Sequence, residues 1–400
     1  MNRFETVNKA LNSLKLGKAV ILVDDHDREN EGDLILAAQF VSPEAIAFML
    51  KYTSGIICVP MHKERLDELG IKLMVNESDN TSRNKTKFTT SVEARHGVST
   101  GVSAEDRTTT IKALCNPKST TKDISQPGHV FPLEYTPLGV IKRRGHTEGA
   151  IDLMKAANLD EAAIICELMN EDGTMMRGTR INEFAAEHNM EIISIEDIYQ
   201  YRIYHETIVS KEASASLPTE YGNFNVSIFK TEIDDKEHIA LTNLKEDQDE
   251  ALVRIHSSCA TGDIFHSLRC DCRKQLEYGL KEIGKNGGVL LYLDQEGRGI
   301  GLTAKIKAYL LQEKYNFNTV QANEELGCPI DSREYLIAAQ IIKHFGITSV
   351  KLLSNNPKKV EGLIRNGVAD VERQPVPVFI NEHNKAYLET KEKVLGHILK

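Results

Sequence analysis

Short apolar runs of strand length alternate with amphipathic stretches of helical length along almost the whole chain, and the alternation breaks once, at HETIVSKEASASLPTEYGN (205–223). Before the break, AVILV (19–23), GIICV (55–59), KFTTSV (87–92), AAIICELM (162–169) and EIISI (191–195) read as strands, as does DLILAAQF. SPEAIAFMLKY (42–52) reads as a helix with Ser42 at its N-cap and a proline behind it, and SAEDRTTTIKAL (103–114) opens on a similar cap pattern. After the break come three strand-like runs (225–231, 237–243, 251–256), a helix near 273–285, the strand GVLLYLD and the helix LTAKIKAYLLQEK. The break itself is small and polar, contains Pro218 and Gly222, and has no sustained period. A chain of 400 residues exceeds the size at which one core keeps growing. The expectation is an α+β protein of two mixed α/β domains, 1–204 and 223–400, joined by a short linker at 205–222.

Hydrophobic residues make up 41% of the chain and charged residues 27%, a globular balance under which both halves should fold. A net charge of −9 argues against bulk attraction to nucleic acid or to an anionic membrane surface. Any anionic substrate must be held by local cationic clusters. No apolar run approaches the roughly 18 residues of a spanning helix, and the first twenty residues read as a polar amphipathic helix, so the expected location is cytoplasmic. Seven cysteines is an odd number, and three of them fall within fourteen positions, which suits a metal better than a disulfide framework.

Those three, Cys259-x10-Cys270-x-Cys272, offer soft thiolates from one loop, a set that favours zinc. Three protein ligands leave a fourth position open for water, the mark of catalytic zinc; His256 or His266 as fourth ligand would instead make a closed structural site, and spacing alone leaves both open. Downstream, Gln295-Glu-Gly-Arg-Gly-Ile-Gly301 places glycines and Arg298 at a strand-to-helix turn, where backbone N–H groups can meet an anion. It is neither the dinucleotide fingerprint nor the Walker loop.

With RIHSSCATGD (254–263), SLRCDC (267–272), QEGRGIGL (295–302), Asp331-Ser-Arg333 and SNNPKK (354–359), the second half resembles GTP cyclohydrolase II over 222–400. The resemblance implies that zinc-bound water opens the imidazole ring of guanine with loss of formate, while the triphosphate loses pyrophosphate. It implies one zinc held by Cys259, Cys270 and Cys272. It also implies nucleotide contacts from Arg254, Ile255, His256, Ser257, Ser258, Gln275, Glu296, Gly297, Arg298, Thr319, Ser354 and Lys359, with Tyr309 near the reacting base. Asp331 is implied as proton acceptor and Arg333 as nucleophile toward the α-phosphate, although a guanidinium that stays protonated suits a bidentate phosphate clamp better. Without the resemblance, these two read as a helix-start carboxylate and a surface arginine. The chain has Ser354 where the family usually has threonine, and Ser258 where it usually has glutamate. The second departure removes a carboxylate beside the metal and defines an alternative expectation, an active first domain joined to an impaired cyclohydrolase-like one.

In the first half, Asp24-Asp-His-Asp-Arg-Glu-Asn-Glu-Gly-Asp33 packs six carboxylates around one turn. Repulsion at that density must be offset by a cation or a ligand unless the turn is simply solvated, and oxygen donors favour magnesium or manganese. PGHVFP (127–132) sets His129 in a rigid, apolar-flanked loop, KRRGHTE (142–148) clusters cations before a probable helix start, and Glu167 interrupts the apolar run IICELM. With DRENEGD (27–33), TGVSAEDR (100–107), QPGHVFPL (126–133), RRGHTE (143–148) and CELMNEDGTM (166–175), residues 4–203 resemble 3,4-dihydroxy-2-butanone 4-phosphate synthase. The resemblance implies conversion of ribulose 5-phosphate to the four-carbon product plus formate, with Mg2+ or Mn2+, up to two ions per site. Glu29 and His146 are the implied metal ligands. Arg28, Glu29, Asp33, Arg143, Arg144, Gly145, His146, Thr147 and Glu167 are the implied substrate contacts, and His129 and Glu167 the essential acid and base groups. Residues 76–87 are polar enough to form a loop over the site, and Cys58 reads as core. Both implied products are precursors of riboflavin, so the chain is expected to be a bifunctional enzyme acting on small molecules and, by family analogy, a homodimer. A zinc-containing nucleic-acid module is disfavoured by the acidic balance and by the absence of paired Cys-x2-Cys knuckles.

Overall fold

The computed structural model describes residues 4–244, 250–331, 333–394 and 396–399. The chain divides at Arg202/Ile203 into two compact units.

In the first unit seven strands form one mixed sheet: β1 (Val20–Val23), β2 (Gly32–Ala37), β3 (Cys58–Met61), β4 (Val92–Ala94), β5 (Ile124–Glu134), β6 (Ala163–Glu167) and β7 (Ile192–Ser194), in the order β4-β5-β3-β6-β2-β1-β7. β1 and β2 are the antiparallel arms of the acidic turn, and both are apolar because the sheet is covered on its two faces. Ser42 Oγ accepts from Ala45 N at 3.2 Å and Ser103 Oγ from Asp106 N at 3.0 Å, so helices Pro43–Tyr52 and Ala104–Cys115 begin where their caps are written. Around 87–92 only the end becomes strand, because the Thr89 hydroxyl and amide both turn to Pro132 O. Cys58 is buried against this core.

The second unit repeats the scheme with β8 (Val209–Thr219), β9 (Gly222–Thr231), β10 (Asp234–Asn243), β11 (Glu250–Ser257), β12 (Gly288–Leu293), β13 (Ser349–Leu353) and β14 (Asp370–Gln374), ordered β14-β13-β11-β12-β10-β9-β8. β8 to β10 are an antiparallel meander, and β11, β12, β13 and β14 run parallel. The expected linker at 205–222 is overturned: ten residues of β8 pair with β9, from Val209↔Thr231 to Thr219↔Gly222. β8 lies at the sheet edge and Ser210 to Pro218 are exposed, so it carries Lys211, Glu212 and Pro218 where an inner strand would carry apolar residues. Helix Leu336–His344 starts five residues after Asp331, which therefore sits in a loop and not at a helix start.

Phe229 is fully buried at the centre of the second core, edge-on to Phe345. Phe229→Ala should lower the stability of this unit by about 3–5 kcal/mol, read as an earlier transition in denaturant unfolding; a variant unfolding with the wild type would show that the meander does not carry this core.

Candidate active sites

The acidic turn is organised around Asp24, whose buried carboxylate accepts from the amides of Glu29 (3.1 Å) and Glu31 (3.0 Å) and from Arg28 Nη1 (2.8 Å). This turns Glu29 inward, where its Oε2 lies 3.2 Å from His146 Nδ1 and 2.8 Å from Arg28. His146 opens helix His146–Ala157, whose N-cap is Gly145; a Cβ there would lie 2.3 Å from Arg143 Nη1. Ligand atoms of Asp24, Glu29 and His146 all lie within 4.8 Å of one another. Behind them, Asp33 Oδ1 and His146 Nε2 are buried 3.9 Å apart, each without a hydrogen-bond partner among the described residues.

The charges of this cluster are strongly coupled. Burial pushes Asp33 up to about 7, the neighbouring carboxylates Glu167, Glu29 and Glu31 adding to the rise against the pull of His146. Burial also opposes the charge of Glu29, but the hydrogen bond from His146 and the Arg28 charge bring it down to about 2. His146 is likewise penalised by burial, yet Asp33 and Glu29 raise it to about 9. His146 and Arg28 both contact Glu29, and Arg177 contacts Glu31, so basic side chains face the carboxylates of the turn.

Glu167 faces Asp33 across the β6–β2 pairing and accepts from Ser54 Oγ at 2.6 Å. His129 lies within β5 and not in a separate loop, at a bulge where the register jumps from Val92↔Val130 to Glu93↔Ser125. The bulge needs Gly128, since a Cβ there would overlap the Val92 carbonyl carbon at 2.1 Å. Cys58 pairs with both Phe131 and Ile165, which puts His129 and Glu167 at the same end of the sheet with β3 between them, on the order of 10 Å apart. His129 Nδ1 lies 2.9 Å from Glu93 Oε2, a partner that no motif announces. Arg143 reaches Asn84 O (3.0 Å) and Thr86 Oγ1 (2.9 Å), which ties the polar 76–87 stretch to the site, and Asn84 donates to Glu29. Thr147 is buried in the first turn of its helix. Arg144 turns away, pairing with Glu196 and stacking 3.9 Å over Tyr199.

In the second unit, Cys259 leaves the end of β11, while Cys270 and Cys272 stand at the start of helix Cys272–Asn286, with all three sulfurs within 4.8 Å. Gly262 closes over them: a Cβ would lie 2.8 Å from Cys270 Sγ and 3.2 Å from Cys259 Sγ. Hydrogen bonds from Cys270 and Cys272, and Lys305 Nζ at 3.1 Å, hold Cys259 far below the usual thiol range, while bonding to Cys259 pushes Cys270 up to about 11. Asp263 orders the loop, accepting from Cys259 N (2.9 Å) and Tyr292 Oη (3.0 Å) beside His256 (3.1 Å). His256 is thus committed to Asp263, and burial lowers its pKa. Glu296 accepts from Ala260 N at 2.6 Å and Lys305 at 2.8 Å, joining the thiol loop to the glycine turn.

A cavity of about 570 Å³ opens over the thiols. Its walls include Arg254, His256, Ser257, Ser258, Gln275, Glu296, Gly297, Arg298, Tyr309, Thr319, Arg333, Ser354 and Lys359. Ile255 and Asp331 are not on the wall: Ile255 is packed in the core and its carbonyl accepts from Lys359 Nζ at 2.6 Å, while Asp331 grips Arg333 through two bonds. Ser258 Oγ lies 3.3 Å from the Asp294 carboxylate, so the position still has an acidic neighbour. Sequence reading missed Lys305, although it shares a helix face with Tyr309 four residues on.

Two mixed α/β units, one bearing oxygen and imidazole donors and the other three thiols beneath a cationic cavity, define a two-site enzyme. Family models match as 3,4-dihydroxy-2-butanone 4-phosphate synthase over 8–201 and GTP cyclohydrolase II over 210–375. Riboflavin biosynthesis protein RibBA of Aquifex aeolicus is 48% identical over 99% of this chain and 98% of its own. The bifunctional riboflavin biosynthesis protein RIBA 1, chloroplastic, of Arabidopsis thaliana is 46% identical over 99% of this chain and 73% of its own. A two-domain 3,4-dihydroxy-2-butanone 4-phosphate synthase structure from A. baumannii superposes with a TM-score of 0.68 at 31% identity, covering 93% of this chain and 99% of that one. The chain belongs to the family of bifunctional riboflavin biosynthesis proteins that join these two enzymes. It is a lyase that forms 3,4-dihydroxy-2-butanone 4-phosphate and formate from ribulose 5-phosphate, and a hydrolase that opens GTP with release of formate and diphosphate. Nothing in these comparisons favours an impaired second domain.

If Glu93 holds the His129 ring, Glu93→Gln should lower synthase turnover about tenfold and leave GTP turnover unchanged; wild-type synthase turnover would show the contact to be idle.

Proposed function

We propose that the two activities are carried by the clusters just described, each with its own metal. In the first unit Glu29 and His146 would hold Mg2+ or Mn2+, with room for a second ion. The support is the set of oxygen and nitrogen donors within 4.8 Å and the two buried atoms, on Asp33 and His146, that have no hydrogen-bond partner among the described residues. A divalent ion there supplies electrophilic stabilisation of oxyanion charge. Arg28, Arg143, Gly145 and Thr147 would bind the sugar phosphate; Arg144, turned toward Glu196, would act on the shape of the loop. Asp33 faces Glu167 across the paired strands, and Glu167 and His129 flank the same sheet end to move protons to and from the substrate carbons.

In the second unit Cys259, Cys270 and Cys272 would hold zinc, in the cradle that Gly262 leaves open. Zinc supplies Lewis-acid activation of the attacking water. Arg254, His256, Ser257, Gln275 and the Glu296–Arg298 turn would orient the nucleotide, with Thr319, Ser354 and Lys359 farther along the same wall. Asp331 would accept a proton. Its bidentate grip keeps Arg333 protonated, which favours a phosphate clamp over a nucleophile. A homodimer in the cytoplasm completes the proposal; the family analogy supports the dimer, and no described helix is long and apolar enough to cross a membrane.

The observation that carries this reading is the separation of donor chemistry: hard donors in one unit, soft donors in the other. Formate should be released from ribulose 5-phosphate with magnesium and, separately, from GTP with zinc. Glu29→Ala should abolish the first alone, and Cys270→Ser the second alone. Loss of both through either substitution would refute independent sites.

A further inference from the structure

The cyclohydrolase family model matches only as far as residue 375, yet the cavity is walled in part by His383, Tyr387, Lys391 and His397. Helix Lys385–Lys393 carries Tyr387 and Lys391 four residues apart, on one face. The segment is tied down, since Ile398 N donates to Asn355 O at 2.9 Å and Asn355 Nδ2 donates to Val376 O at 2.6 Å.

From Lys391 an unbroken chain of hydrogen bonds runs into the site. Lys391 Nζ donates to Asp271 Oδ1 at 2.7 Å, and both side chains are almost wholly withdrawn from solvent. The other oxygen of Asp271 accepts from Gln275 Nε2 at 2.7 Å, and Gln275 Oε1 accepts from Arg254 Nη2 at 2.7 Å. Asp271 decides which end of the Gln275 amide faces Arg254, because it can only accept. A buried carboxylate in that role needs a counter-charge, and Lys391 is the cation that contacts it. Tyr387 meets the glycine turn from the same helix: its hydroxyl lies 3.5 Å from Arg298 Nη2 and its ring 5.7 Å from the guanidinium. Arg298 itself is held at φ 64, and its Nη1 is buried with no hydrogen-bond partner among the described residues.

We propose that the C-terminal helix is a working part of the nucleotide site, with Lys391 positioning Gln275 and Arg254 through Asp271, and Tyr387 positioning Arg298. This rests on the assignment of the cavity to GTP. Neither residue need touch the reacting atoms, so both act on binding more than on the chemical step.

The test uses the full-length chain with Lys391→Gln, Lys391→Arg and Tyr387→Leu. It measures KM and kcat for GTP, zinc per chain, and formate release from ribulose 5-phosphate as an internal control. Lys391→Gln should raise KM for GTP about tenfold, more than it lowers kcat, with zinc and synthase turnover unchanged, and Lys391→Arg should recover most of the loss. A wild-type KM in Lys391→Gln would overturn the proposal. Should that variant shed zinc, Tyr387→Leu decides, because Tyr387 reaches the site through Arg298: a severalfold rise in KM upholds the helix's role and an unchanged KM ends it. A wild-type chain that takes no GTP would instead refute the assignment of the cavity.

Discussion

Acidic groups held close together and away from water set the terms for both units: carboxylates in the first, and in the second three thiols, of which Cys259 ionises while Cys270 keeps its proton. Two unit charges 4 Å apart repel by about 4 kcal/mol at an effective dielectric of 20, and a domain's net stability is only about 5–15 kcal/mol. Asp24, Glu29, Glu31, Asp33 and Glu167 crowd the end of one sheet, and three thiols crowd the end of the other. Each cluster therefore needs resident cations. His146, Arg28 and Arg177 serve the first, and Lys305 the second. These are arrangements in which a divalent ion can replace protons and complete the compensation.

The sheets convert that electrostatic demand into geometry. In the first unit the β2–β6 register sets Asp33 opposite Glu167, and the antiparallel β1–β2 pair holds the acidic turn at the same end. In the second, β11 and β12 run parallel, so the thiol loop after Ser257 and the glycine turn after Leu293 emerge side by side, and Glu296 bonds one to the other. Glycine is required where atoms come closest, at Gly128 beneath the His129 bulge and at Gly262 against the sulfurs. Both active centres are thus loop chemistry on rigid strand ends, and each depends on backbone positions that accept no side chain.

What was legible in the sequence follows from range. Caps, strand cores and the three-cysteine loop depend on neighbours a few residues away: Ser42 and Ser103 cap their helices as read, and Cys259, Cys270 and Cys272 come together. β8 was illegible as a strand because it lies at the sheet edge, where charge and proline protect against further pairing and erase the apolar alternation. His129 read as loop because the bulge that presents it is made by its pairing with β4. Glu93, 36 positions from His129, and Lys391, 120 positions from Asp271, carry no local signature, since only tertiary packing brings them to their partners. Glu196 and Tyr199, the partners of Arg144, lie more than 50 positions away and are likewise unannounced in KRRGHTE.

If one chain maintains two metal sites of different chemistry, elemental analysis of the purified full-length protein, wild type beside Gly262→Ala, will tell them apart. One zinc per chain in the wild type, sharply reduced in Gly262→Ala, with Mn2+ binding to the first unit equal in both, is the predicted result. A wild-type chain that turns over GTP at full rate without zinc, or a Gly262→Ala chain that loses both metals together, would contradict it.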